Sequence, residues 1–383
     1  MLTQIDKRQI KHNRFEKHPK KILVGVFIAS LFFAVFIAEI LLSLITQEEQ
    51  LITEVRNIRL REHPPSLITY AIPTDVYMNG VDSLVQKEFR FEIDKDGYIY
   101  PSRIHKQPDM TIFFLGGSTT EAIYVDEYNR FPYLVGRLLE GNGIKVNSIN
   151  SGVSGNNSMH SINILLNKGL ALRPDIAIMM HNVNDLNVLL YENNYWNKNP
   201  NRSLLIVSNS NISNYLKRIL KAVIPNLYIS LRRVKRNIFR EDEFVHLRGK
   251  KLTINKQGII EKFERSLLTF IAICKSNGII PILMTQANRF REKPDRIIIN
   301  NWTLDKDFGI KYEEYKNIFD SMNDLIREVG RSNMVLIIDL AKDVPQDKAY
   351  MYDILHYNDN GSKYVARLIV DQLNNMFNKS QIN

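Results

Sequence analysis

The 383-residue chain reads as an α/β protein, with three layers and a central parallel sheet, preceded by one transmembrane helix. Three observations predict this. From residue 111 onward, short apolar runs alternate with helix-length amphipathic stretches, the pattern of a parallel sheet covered on both faces. Near the N-terminus, Ile22 to Ile45 is an apolar run interrupted by one charged residue, Glu39. The single cysteine, Cys274, excludes an internal disulfide framework and a cysteine-rich metal site, so burial of apolar surface must hold the fold. At 44% hydrophobic and 24% charged, the composition is that of a folded protein with a sizeable core.

Taken in order, the first 21 residues carry seven Lys/Arg against Asp6 and Glu16. The apolar run 22–45 covers about 36 Å as a helix, enough to span a bilayer with some tilt. A cleaved signal peptide has a shorter apolar region and a small-residue cleavage site, and Thr46-Gln-Glu-Glu-Gln offers none. The reading is a basic cytoplasmic tail (1–21) and an uncleaved anchor (22–45), with everything after residue 46 on the outer, periplasmic or extracellular, side. Much of the net charge of +10 is therefore topology information and does not point to nucleic acid. Residues 46–108, with Pro64-Pro65, read as a stalk and lead-in, and 109–379 as the folded domain.

Within that domain, strands are expected at Thr111–Leu115, Ile144–Ile149, Asp175–Met180, Ile279–Thr285 and Met334–Leu340. Helices are expected at Phe131–Glu140, Met159–Leu170, Ile259–Ser276, Tyr312–Val329 and Gly361–Met376, with Cys274 as buried filler on the third. An insert at 187–256 breaks the alternation and carries the basic, apolar-periodic stretches Tyr215–Pro225 and Leu231–Arg240. These suit helices covering a sheet edge with a solvated basic face. The other reading is a surface for an anionic membrane or an acidic glycan.

Ligands in parallel α/β folds bind beyond the carboxyl ends of the strands, so the loops there carry the functional argument. The first strand stops at Gly116-Gly117 and is followed at once by Ser118, an exposed hydroxyl beside a helix start whose N–H groups can stabilise an oxyanion. Ser118-Thr-Thr-Glu121 is equally a capping box, in which the serine simply starts a helix. It lacks the Gly-x-x-x-x-Gly-Lys pattern of a phosphate cradle. The second strand leads into a turn carrying Gly155, and the third into His181-Asn182-Val-Asn184-Asp185. Before the last helix, Asp353 and His356 stand three apart on a loop, where the carboxylate can orient the imidazole. Among the eight histidines only His160, His181 and His356 lie in post-strand loops or at helix starts. His356 alone has a carboxylate at a close, sensible spacing, and His181 is the second candidate base.

Taken in order, Gly116-Gly117-Ser118, Gly155, Asn184-Asp185 and Asp353-x-x-His356 resemble the sequence blocks of the SGNH/GDSL hydrolase superfamily, over roughly residues 110 to 376. The stretch Phe114 to Leu139, with Thr119-Thr-Glu121 and Phe131-Pro132, is similar to that family's first block and helix. The resemblance implies a flavodoxin-like three-layer α/β/α domain and a serine esterase. In it Ser118 is the nucleophile, His356 the base and Asp353 its orienting carboxylate. The N–H groups of Ser118 and Gly155 and the side chain of Asn184 form the oxyanion hole. It implies no cofactor and no metal. Two positions depart from the family pattern. Gly-Asp-Ser is Gly-Gly-Ser here, with no catalytic duty expected of Gly117. The glycine two residues before the block's asparagine is Asn182, expected to narrow the pocket or touch substrate. The same residues serve an esterase and an O-acyltransferase. With the anchor, the expected substrate is an O-acyl ester, acetyl foremost, on an envelope glycan or glycolipid; a catalytically silent glycan-binding subunit is the alternative from another class.

Overall fold

A computed structural model of the chain describes residues 18–45, 54–141, 143–197, 199, 202–209, 212–224, 227, 228, 231, 249 and 251–382. Most of the basic tail and much of the basic insert, residues 232–240 and His246 included, lie outside these residues. The chain divides into two compact units. One comprises Met1–Val55 with Ser208–Pro225 and contains the helix Pro19–Ile45, long and apolar enough to cross a membrane, and the helix Ile212–Val223. The other comprises Arg56–Val207 with Asn226–Asn383.

The second unit is built on five parallel strands: β1 (Met110–Gly116), β2 (Val146–Asn150), β3 (Ile176–Met180), β4 (Ile280–Met284) and β5 (Leu336–Ile338). Their order, β2-β1-β3-β4-β5, is the flavodoxin-like doubly wound arrangement. All five expected strands form. Side chains alternate across the sheet but both faces are covered, so β1 is apolar at every step from Ile112 to Leu115. Phe113 and Leu115 join one core, with α3 (Ser158–Ile164), α4 (Val183–Glu192), α5 (Lys256–Ser276) and α6 (Tyr312–Ser332). Ile112 and Phe114 join the other, with α2 (Phe131–Glu140) and α7 (Asp359–Ile382). Two cores on opposite faces of one sheet make three layers. Cys274 is buried in the first, and burial pushes its thiol up to about 12.

Two expectations are corrected. The helix expected over Met159–Leu170 is regular only to Ile164, then widens into a π-turn at Leu165–Gly169 and tightens at Leu170–Leu172. The cause is close packing on β1. A Cβ on Gly169 would lie 2.9 Å from the Leu165 side chain and 3.1 Å from the Phe113 ring. The expected stalk is also, from Arg56 on, part of the sheet-bearing unit. Ile68–Ala71 pairs antiparallel with Phe89–Glu92, and the alternating Phe91, Ile93 and Ile99 form a small core of their own. The buried Arg130 guanidinium ties this segment down, donating to the carbonyls of Arg90 (2.8 Å) and Ala122 (3.2 Å) and lying over the Phe91 ring.

Candidate active site

Parallel register places the ends of β1, β2 and β3 side by side: Phe114 faces Asn150 on one side and Ile178 on the other. The loops carrying Ser118, Gly155 and Asn184 therefore emerge together, at the point where strand order reverses across β1 and β3. Ser118 opens α1, a single turn (Ser118–Glu121) ended by Ala122 at φ +53°. The capping box does not form. Gly117 is the N-cap, no side chain caps the turn, and Glu121 turns instead toward His63 (3.0 Å) and Ser154.

The Ser118 hydroxyl is taken by histidine. His356 Nε2 lies 2.7 Å from Ser118 Oγ, and His356 Nδ1 lies 2.6 Å from Asp353 Oδ2. A carboxylate only accepts, so Nδ1 carries the proton and Nε2 accepts from the serine. The loop that presents both groups is closed on itself. Tyr352 N–H donates to the His356 carbonyl, and Asp353 Oδ1 accepts from the backbone N–H groups of Leu355 and His356. The Tyr352 ring stacks on the imidazole, 5.6 Å between centroids and 8° from parallel, and Tyr77 OH donates to Asp353 Oδ2 at 3.2 Å. The imidazole is not sealed off, with 23% of its side chain exposed.

The electrostatics suit a base. Burial alone would lower the His356 pKa, but the Asp353 charge and hydrogen bond, with the Glu121 charge, outweigh it and hold the ring above its ordinary value. Burial pushes Asp353 up, yet the His356 charge and hydrogen bond and the two backbone N–H groups hold it below the usual carboxylate range.

Asn184 sits at the start of α4, its Nδ2 donating to the Asn156 carbonyl at 2.9 Å and its Oδ1 accepting from Arg202 Nη1 at 2.9 Å. These two partners fix which end of the amide is which. The amide lies against the serine turn, since a Cβ on Gly117 would fall 2.4 Å from Asn184 Nδ2. Gly117 therefore leaves room for the Asn184 amide, a steric role and not a catalytic one. Gly155, next to Asn156, has φ +77°, a conformation that favours glycine. Asn182 does not line this site either. It is buried, and its Nδ2 donates to the Phe319 carbonyl (2.9 Å) and Asn323 Oδ1 (3.0 Å), into the packing of α6. His181, the second candidate base, is buried elsewhere, with Nε2 2.6 Å from Ser161 Oγ; burial pulls its pKa down to about 3. Its neighbour Asp185 is a structural hub, accepting from Ser158 N–H and Tyr195 OH, and burial raises it to about 6.

Sequence reading missed Glu121, Arg202, Tyr77 and Arg61, whose Nη1 donates to the Gly155 carbonyl at 3.0 Å, at this site. Only Glu121, inside the serine block, carried a signal; Tyr77 lies 276 positions from its partner.

Comparison with solved structures finds a lipase/acylhydrolase from Enterococcus faecalis at 18% identity, covering 69% of this chain and 95% of that one with a TM-score of 0.41. It also finds an acetyl xylan esterase (17% identity, 68% and 98% covered, TM-score 0.40). A third is an acetylxylan esterase from Geobacillus stearothermophilus (14% identity, 69% and 94% covered, TM-score 0.39). No family model matches the chain, and no curated protein matches it.

Proposed function

We propose that this chain is a serine esterase of the SGNH/GDSL type, acting on O-acyl esters, foremost acetyl, of an envelope glycan or glycolipid. The observation that carries the reading is the continuous hydrogen-bond chain from Asp353 through His356 to Ser118, presented at the carboxyl ends of the strands. Ser118 Oγ attacks the acyl carbonyl carbon as its proton passes to His356 Nε2. The carbonyl oxygen takes the negative charge and accepts from the N–H groups of Ser118 and Gly155 and from the second N–H of Asn184 Nδ2. The tetrahedral intermediate collapses, the alcohol leaves with the proton held by His356, and an acyl-Ser118 ester remains. Water, activated by the same imidazole, attacks that ester; the acid departs and Ser118 recovers its proton. An acceptor alcohol in place of water makes the same cycle an acyl transfer.

The choice of an envelope substrate is supported by the apolar helix Pro19–Ile45, long enough to cross a membrane, and by the seven cations that precede or open it, the charge bias that favours a cytoplasmic N-terminus. The test is treatment of the full-length protein with a fluorophosphonate probe and with p-nitrophenyl acetate, beside Ser118→Ala and His356→Ala. Wild-type labelling and turnover lost in both variants are expected. Turnover that survives Ser118→Ala, or a wild type that neither labels nor turns over, overturns the reading.

A further inference from the structure

Two arginines stand directly behind the candidate oxyanion donors. Arg202 Nη1 donates to Asn184 Oδ1 at 2.9 Å. Arg61 Nη2 donates to the Ser154 carbonyl at 2.9 Å, and Arg61 Nη1 to the Gly155 carbonyl at 3.0 Å. The Ser154 carbonyl belongs to the same peptide unit as the Gly155 N–H, and Asn184 Oδ1 to the same amide as its Nδ2. Each guanidinium thus grips the oxygen of a conjugated amide whose nitrogen end is a candidate donor. Withdrawing density at the oxygen makes the N–H group at the other end a stronger donor, because hydrogen bonds chained through one amide polarise each other. Both contacts are charge-assisted, and arginine stays charged at any working pH.

A Cβ on Gly155 would meet Arg61 Nη2 at 2.8 Å and Arg202 Nη1 at 3.4 Å, so the two guanidinium groups converge on one glycine. Their field reaches further: beside burial, Arg61 and Arg202 help lower the pKa of His160. Ser154 Oγ, on the same loop, donates to Glu121.

We infer that Arg61 and Arg202 are positioning residues for an arginine-backed oxyanion hole, each fixing and polarising one donor amide without touching substrate. The inference rests on the esterase reading above. Its consequence is that loss of either guanidinium weakens binding of the transition state more than of the ground state.

The experiment measures kcat and KM for p-nitrophenyl acetate, and inhibition by a trifluoromethyl ketone whose hemiketal oxygen occupies the hole, in full-length wild type, Arg202→Gln, Arg202→Lys and Arg61→Gln. Removing a whole oxyanion donor costs about 10²–10³ in kcat, so losing its backing charge is expected to cost about tenfold to a hundredfold. KM should hold, ketone inhibition should weaken by the same factor as kcat/KM, and added guanidinium should restore part of the Arg202→Gln loss. Arg202→Lys, which keeps charge without the planar fork, should fall between. Where Arg202→Gln melts early, Arg202→Lys and guanidinium rescue decide. Wild-type kcat in the Gln variants, or ketone inhibition unchanged while kcat falls, overturns the inference. A wild type without turnover overturns the esterase reading instead.

Discussion

Gly117→Ala is the sharpest perturbation this site offers, because it adds one methyl group and nothing else. Gly117 sits at φ −94° and ψ −150°, extended backbone that alanine also adopts, so no turn strain enters. The new Cβ would lie 2.4 Å from Asn184 Nδ2 and 3.1 Å from the Asn156 carbonyl, where ordinary contact begins at 3.4 Å. The Asn184 amide must therefore retreat by about 1 Å, and a displacement of that size at a catalytic group costs about 10² in rate. It cannot retreat freely: Asn156 O holds Nδ2 and Arg202 holds Oδ1. The expected result is a fall in kcat of about 10²-fold, the lower end of losing one oxyanion donor, with KM nearly unchanged. Loss of the Asn184–Asn156 hydrogen bond removes about 1 kcal/mol, or a few degrees of melting temperature. Steady-state hydrolysis of p-nitrophenyl acetate and a thermal melt measure both. A kcat equal to wild type in a folded Gly117→Ala protein refutes the placement of Asn184 in the hole.

Three further outcomes are expected. His356 must be neutral to take the serine proton and its pKa is raised above 6.5, so kcat/KM should rise with pH to a midpoint above that value. Asp353→Asn removes the two larger influences that raise it and leaves burial opposed only by the Glu121 charge; the midpoint should move down while kcat falls about 10³–10⁴-fold, read from pH–rate profiles of both proteins. Asn182→Ala should destabilise the fold by about 1–3 kcal/mol, since it removes two buried hydrogen bonds, to the Phe319 carbonyl and to Asn323 Oδ1 (which keeps the Gln286 N–H), but KM for small esters should stay; a KM shift in a folded variant would place Asn182 at the substrate. Tyr77→Phe removes the hydroxyl on Asp353 Oδ2 and should lower kcat about fivefold, the equivalent of one ordinary hydrogen bond; unchanged kinetics would leave Tyr77 outside the catalytic network.

The sheet was legible because its strands are, with the exception of β2 (Val146-Asn-Ser-Ile-Asn150), short apolar runs bounded by polar residues and followed by a helix-length stretch. The Ser118, Asp353 and His356 trio was legible for a related reason: each falls in a loop where a parallel sheet exposes its ends. What could not be read is what depends on distant chain segments. Arg61 reaches Gly155 from 94 positions away, in a segment that looked like a stalk, because a four-residue strand pair is too short to announce itself. Arg202 lies in the polar opening of the insert, where nothing separates a structural cation from a solvated one. Asn182 was misread for a different cause. Its position in the chain suggested the pocket, but backbone angles at the N-cap of α4 send its amide to Asn323. The capping box fails because the turn begins one residue early: Gly117 is the N-cap, Ser118 is already the first helical residue, and Glu121 turns to His63 and Ser154.

The central claim is a covalent acyl-Ser118 intermediate, and the most direct measurement is to trap it. Full-length protein is mixed with p-nitrophenyl acetate, quenched in acid within the first turnovers and digested, and the peptides are weighed by mass spectrometry. One acetyl group is expected on the peptide containing Ser118, absent from Ser118→Ala and from His356→Ala. Acetyl on another residue in the wild type, or turnover with no adduct on Ser118 at any quench time, would contradict it.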